Sequence, residues 1–383
     1  MGNDIPLGRI AGIKVGMSFT VFLVAGFYAF GLAVYRIPGA VDDLSTTACW
    51  VGGVLGAICL FLSLLVHEIG HALVAKEEGI EVESMGLTLL GGITRMKSSP
   101  VTAGSDFRIS VVGPVASALC GLVFLVAAFL IPNTGTTGMV GYVFAWVGGL
   151  NLLLAGLNMA PATPLDGGRV LAAAVWHASG SQAVGMIAAA VSGVVIGMVA
   201  VVLGLHSLLT PSSWLSDWAF FLLAAGGFIA LGAGQQLIKA PLYRALDGLV
   251  AAQAMAATPP SAPSWASIAD FLRSSTPRPE HQAYPVVGPD GQVSGLLTAA
   301  AIRAVPPQRW EQLRVGDLAY PIDRLTLIHA DEPLLPALQK VESGSIAHAL
   351  VVAADGRILG TLDPSAIDRV MAQRKAGAQP AAV

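Results

Sequence analysis

Six stretches of the chain stay apolar for about the 20 residues that a helix needs to cross a bilayer. They cover residues 15–35, 46–75, 107–131, 139–160, 183–206 and 214–238. The second stretch is longer than one crossing requires, so its last turns, from His67 onward, are expected near or beyond one membrane face. Between the second and third, residues 80–99 (IEVESMGLTLLGGITRMKSS) carry β-favouring side chains broken by Gly91-Gly92. A hairpin or re-entrant strand pair fits this segment, and an ordinary surface loop is the other reading.

The pattern changes after about Lys239. Charged residues become more frequent, ATPPSAPS (257–264) marks a loop, and an internal repeat follows. YPVVGPDGQVSGLLTAAAIRAV at 284–305 aligns without gaps to ALVVAADGRILGTLDPSAIDRV at 349–370. Each copy reads as strand, Asp-Gly turn, strand and helix. The expected architecture is therefore a polytopic α-helical membrane protein with a short membrane-associated β-hairpin, over residues 1–240. A soluble α/β module follows over residues 241–383.

Composition agrees. Of 383 residues, 54% are hydrophobic and 12% charged, against about 25% charged in a soluble domain. A net charge of −3 gives no case for nucleic acid. Cys49, Cys59 and Cys120 all lie in apolar runs, with no CxxC pair and no disulfide framework. The first apolar run lacks an obvious small-residue cleavage site and reads as a retained span rather than a cleaved signal peptide. Lys and Arg placement sets orientation. Arg9, Lys14, Lys76, Arg95, Lys97, Arg108, Arg169, Lys239 and Arg244 fall on one side, whereas the opposite loops hold only Arg36. Both termini, and the His67 end of the second run, are accordingly expected in the cytoplasm of a cell-membrane protein. Trp146, Trp176, Trp214 and Trp218 lie near span ends or between spans, where an aromatic belt is the usual arrangement.

The second run contains LLVHEIGHALVA (64–75). A carboxylate and two imidazoles at membrane depth are costly and need compensation. HExxH on a helix puts His67 and His71 on one face, one turn apart, where both imidazoles reach a single zinc ion and Glu68 stands beside the attacking water as general acid/base. A hydrolytic zinc ion takes three protein ligands. The fourth run ends in LNMAPATPLDGGRVL (157–171), where Pro161 and Pro164 break the helix and place Asp166 in irregular backbone on the same side. Asp166 is thus the expected third ligand, and a tight turn leaving the membrane is the plainer reading of the same residues. His177, His206, His329 and His348 have no partner motif and are not expected as ligands.

HEIGH at 67–71 followed by NMAPATPLDGG at 158–168 resembles the site-2 protease family of intramembrane zinc metalloproteases. The resemblance implies one Zn2+ per chain on His67, His71 and Asp166, with Glu68 catalytic and Asn158 beside the scissile bond. It also implies regulated intramembrane proteolysis of a single-span substrate in the lipid bilayer, such as an anti-sigma factor or similar regulator. Gly113-Pro114-Val115-Ala116-Ser117 is similar to the family's GPxxN segment with Ser in place of Asn, and helix packing alone would also explain its small residues. In that setting an exposed edge of the 80–99 hairpin could pair with an unwound substrate.

The C-terminal repeat resembles a tandem pair of CBS domains, at about 247–308 and 312–373. Such pairs often bind ATP or another adenine nucleotide and often dimerise. Here the usual Asp of ligand-binding copies is Ala301 in the first copy and Ala366 in the second, with Asp363 as a shifted candidate. A packing or homodimerisation module is the competing reading. Two other functions stay open on sequence: a transporter or channel gated by the CBS pair, and an inactive scaffold of the same fold.

Overall fold

The computed structural model describes residues 4–88, 91–96, 100, 102–132, 134–210, 218–257, 261–274, 282–344 and 346–375. Two compact units result, Met1–Ala240 and Pro241–Val383.

The first unit begins with strands that the hydropathy pattern hides. β1 (Asp4–Ile10) and β2 (Ile13–Ser18) form a hairpin in register Ile10↔Ile13. Its two turn residues, Ala11 and Gly12, have φ of 51° and 86°. That is the positive-φ pair a tight two-residue hairpin needs. Lys76 donates to the Ala11 carbonyl at 2.9 Å and anchors the turn. The start of the first apolar run is therefore strand, not helix: residues 15–18 belong to β2, where Val15 and Met17 alternate with Gly16 and Ser18. β2 then pairs in parallel with β3 (Val82–Thr88), which pairs antiparallel with β4 (Gly91–Met96), giving sheet order β1-β2-β3-β4. Gly91 and Gly92 lie within β4, opposite Thr88 and Leu87. Residues 89–90 and 97–99 of the 80–99 segment lie outside the described residues. Ile13, Val15 and Met85 of the sheet bury against Ala72 of the second helix.

The helices are α1 (Thr20–Gly31), α2 (Thr46–Glu77), α3 (Ala103–Leu130), α4 (Gly135–Asn158), α5 (Asp166–Ser179), α6 (Gln182–Leu209) and α7 (Ala219–Ile238). Among the described residues α2, α3, α4, α6 and α7 are long and apolar enough to cross a membrane. The first helix, continued by a π-helical turn to Arg36, is shorter, at 17 residues. Residues 211–217, including the start of the expected sixth span and Trp214, lie outside the described residues. Caps fix three helix starts: Ser45 Oγ accepts from Ala48 N–H at 3.2 Å, Thr102 Oγ1 from Ser105 N–H at 3.1 Å, and Ser181 Oγ from Val184 N–H at 3.1 Å.

The second unit holds two four-stranded sheets. One runs β6 (Ala262–Pro263), β7 (Ala283–Val287), β8 (Val293–Thr298), β9 (Tyr320–Pro321). The other runs β10 (Thr326–His329), β11 (Ala349–Val352), β12 (Ile358–Leu362), β5 (Ala256–Ala257). The leading strands are exchanged: β5 pairs with β12 of the second copy, and β9 pairs with β8 of the first. Neither sheet is complete without the other copy, which welds the repeats into one module. The two Asp-Gly turns match. Gly291 and Gly356 have φ of 76° and 84°, and Asp290 and Asp355 each accept a backbone N–H two residues on.

Candidate metal centre

α2 carries His67 and His71 on one face, with Glu68 half-buried between them. α4 stops at Asn158, and a short irregular segment containing Pro161 and Pro164 leads into α5. Asp166 is the first residue of α5, so it sits at a helix N-terminus, not in the irregular backbone that the prolines suggest. The Gly167-Gly168 pair permits this. A β-carbon at Gly167 would overlap the backbone of Met159 and Ala160, and one at Gly168 would lie 2.5 Å from Thr163 N. The glycines let the first turn of α5 fold back onto the segment that precedes it.

Three side chains converge. His67 Nε2 and His71 Nε2 are 3.1 Å apart, and Asp166 Oδ2 lies 3.2 Å from the first and 3.3 Å from the second. His67 and His71 are 5% and 7% exposed, and the Asp166 side chain 19%. Among the described residues this is the one cluster of three or more His, Cys, Asp or Glu residues with metal-ligand spacing. Tetrahedral zinc with bonds of roughly 2.0–2.1 Å places neighbouring ligand atoms about 3.3–3.4 Å apart, close to the triangle seen.

The charge balance points the same way. His71 Nδ1 lies 2.5 Å from the Ile109 carbonyl oxygen, which can only accept, so Nδ1 carries the proton. In its neutral form His71 then presents a bare lone pair at Nε2. That lone pair, a carboxylate oxygen and the second imidazole face one another in a buried space, an arrangement that a cation relieves.

α3 supplies the frame. Ile109 orients His71, Ser117 Oγ lies 2.9 Å from His67 Nδ1, and between them Gly113 faces both rings. A β-carbon there would overlap His71 Nε2 and come within 2.6 Å of His67 Nε2. The start of α3 is tied to both ligand-bearing helices. Arg108 donates twice to Glu78 at the end of α2, at 2.6 and 2.8 Å, and Arg169, one turn past Asp166, donates to Asp106 at 2.6 Å. Sequence reasoning read Arg108 and Arg169 only as orientation markers, and a backbone carbonyl such as that of Ile109 leaves no side-chain signal to find.

Asn158 is half-buried at the end of α4, and its side chain makes no hydrogen bond among the described residues. His177 and His206 are exposed and do not join the cluster. All three cysteines are free thiols.

The fold and the site define a membrane-embedded metallohydrolase, and the comparisons with known proteins agree. The pattern of Peptidase family M50 matches residues 55–137. The protein named zinc metalloprotease Rip3 of Mycobacterium tuberculosis is 32% identical over 371 residues, covering 97% of this chain and 93% of that one. The solved site-2 protease from Methanocaldococcus jannaschii is 27% identical, with a TM-score of 0.41, covering 61% of this chain and 95% of that chain. The CBS domain of a bacterial CNNM/CorC family Mg2+ transporter, solved with ATP, is 12% identical with a TM-score of 0.29, covering 34% of this chain and 93% of that one. The chain belongs to peptidase family M50, the site-2 protease family, and is a zinc metalloprotease.

Proposed function

We propose that His67, His71 and Asp166 hold one zinc ion, and that the enzyme hydrolyses a peptide bond in or beside a membrane-spanning segment of another protein. The observation that carries this reading is the buried Nε2, Nε2, Oδ2 triangle of 3.1 to 3.3 Å at the end of a 32-residue apolar helix. Bound zinc supplies polarisation of the scissile carbonyl and of the attacking water. Glu68 takes the proton of that water at its carboxylate and hands it to the leaving amine. Asn158, eight residues before Asp166 at the end of α4, holds the substrate carbonyl. Substrate must reach the site from lipid. An apolar cavity of about 430 Å³ between α1, α2 and the sheet supports such a route. Its α2 wall runs through Val54, Ile58, Phe61 and Leu65, a helical stripe whose next member is Glu68. β4, at one end of the sheet order, offers an edge on which an unwound substrate segment can pair. The arginine and lysine pattern supports a site near the cytoplasmic face, with both chain termini on that side.

For the C-terminal repeat the reading is a regulatory or pairing module. Asp363, the shifted ribose candidate, is buried and already bonded to Ser365 and Arg369, which favours packing over nucleotide capture.

The test is cleavage of a single-span reporter by the detergent-purified enzyme. Glu68→Gln is expected to lower the rate by about 10²–10⁴-fold, the usual worth of a general base, while zinc content stays at the wild-type level. Cleavage by Glu68→Gln at the wild-type rate would remove Glu68 from the mechanism.

A further inference from the structure

Ser117 and Ser110 sit two turns apart on α3, and both are buried, at 1% and 0% exposure. Their hydroxyls differ. Among the described residues Ser110 Oγ has no hydrogen-bond partner, whereas Ser117 Oγ lies 2.9 Å from His67 Nδ1. Asp106, Ile109, Gly113 and Ser117 follow one another at intervals of three, four and four residues, which is one face of a helix. Each member meets a different part of the metal centre. Asp106 holds Arg169 of the Asp166 helix, Ile109 holds His71, Gly113 leaves room for both rings, and Ser117 reaches His67.

The chemistry of His67 makes the last contact decisive. To offer its Nε2 lone pair, neutral His67 must carry its proton on Nδ1. That proton needs an acceptor, since His67 is 5% exposed and α2 spends its own carbonyls on the helix ladder. The acceptor is Ser117 Oγ. The same contact fixes the rotation of the ring and aims Nε2 at Asp166 and His71. His71 has a carbonyl for this task and, among the described residues, His67 has only the serine.

We propose that Ser117 is a positioning residue of the metal centre, orienting His67 through Nδ1 so that Nε2 faces the metal. This rests on the zinc site proposed above. It goes beyond that reading because it gives a role in metal binding to a residue to which the GPxxN-like segment assigns none.

The experiment compares wild type, Ser117→Ala and Ser110→Ala as full chains in detergent. Three quantities are read: zinc affinity by chelator competition, the visible absorption spectrum of the Co2+-loaded protein, and melting temperature with and without metal. Ser117→Ala is expected to bind zinc about 10–100-fold more weakly, the usual effect of losing an orienting partner, and to show altered Co2+ ligand-field bands. Its melting temperature should fall mainly in the metal-loaded form. Ser110→Ala, which also removes a buried hydroxyl from α3, should match wild type in affinity and spectrum. The proposal is overturned if Ser117→Ala keeps wild-type affinity and spectrum, if Ser110→Ala weakens zinc equally, or if Ser117→Ala melts lower by the same amount with and without metal. The last two results would mark Ser117 as packing only. Wild-type protein that takes up no zinc would instead defeat the site itself, so the two failures are distinguishable.

Discussion

Asp166 in the membrane unit and Asp363 in the C-terminal unit are both carboxylates withdrawn from solvent near the start of a helix, and they are surrounded in opposite ways. Asp363, 3% exposed, is met by donors: the Ser365 N–H at 2.8 Å, the Ser365 hydroxyl and the Arg369 guanidinium at 3.5 Å. Its charge is satisfied within its own unit. Asp166 faces two imidazole nitrogens, of which that of His71 has its ring proton committed elsewhere. Burial alone therefore does not mark a functional carboxylate. The balance of donors and acceptors does: a buried acid among donors is architecture, and a buried acid among acceptors is a place for a cation.

That contrast can be broken experimentally, and the largest effect is expected at Gly113. Gly113→Ala places a methyl group against both imidazoles and should reduce zinc content, measured by elemental analysis, to near zero. Zinc content equal to wild type would show that the rings have room the geometry denies them. Next comes Asp363→Ala. Removing the carboxylate leaves Arg369 without its ionic partner and should destabilise the C-terminal unit by about 1–3 kcal/mol. Faster hydrogen exchange in β11 and β12 of the full chain would report this, with zinc content unchanged. Zinc loss in Asp363→Ala would erase the distinction between the two acids.

The smallest effect is a pH dependence. Burial pushes the His348 imidazole below its ordinary value, and Asp363 pulls it only part of the way back. The unfolded chain then binds a proton on this residue more readily than the folded one. The contribution of neutral His348 is complete above about pH 6.5 and declines as pH falls below that toward the folded-state value. The protection of β11 amides, as exchange rate relative to the intrinsic rate at each pH, should fall over that range, and His348→Leu should flatten the dependence. A profile unchanged by His348→Leu would assign it to other groups.

The sequence showed the chemistry more readily than the frame that holds it. His67, Glu68, His71 and Asp166 could be read because polar side chains in apolar runs stand out and because helical spacing fixes which of them share a face. The Asp-Gly turns of the repeat could be read for a similar reason, since two residue types with special backbone preferences recur 65 positions apart. The β1–β2 hairpin was missed because Ile13, Val15 and Met17 merge with the apolar run of α1. The alternation ending at Ala11-Gly12 was the available signal. The helical start at Asp166 was obscured by Pro161 and Pro164, which break the chain before it, not at it. The exchange of β5 and β9 between the two sheets is a tertiary pairing of two-residue strands, too short to carry a periodicity. Ser117 was visible as the last residue of a GPxxN-like segment, but its role was not, because what distinguishes it is a histidine 50 positions away.

The measurement that bears most directly on the central claim is zinc per chain in protein purified without chelators, for wild type, Asp166→Ala and Asp363→Ala. About one zinc in wild type and in Asp363→Ala, and little or none in Asp166→Ala, is the expected result. Wild-type protein without zinc, or Asp166→Ala holding as much as wild type, would contradict it.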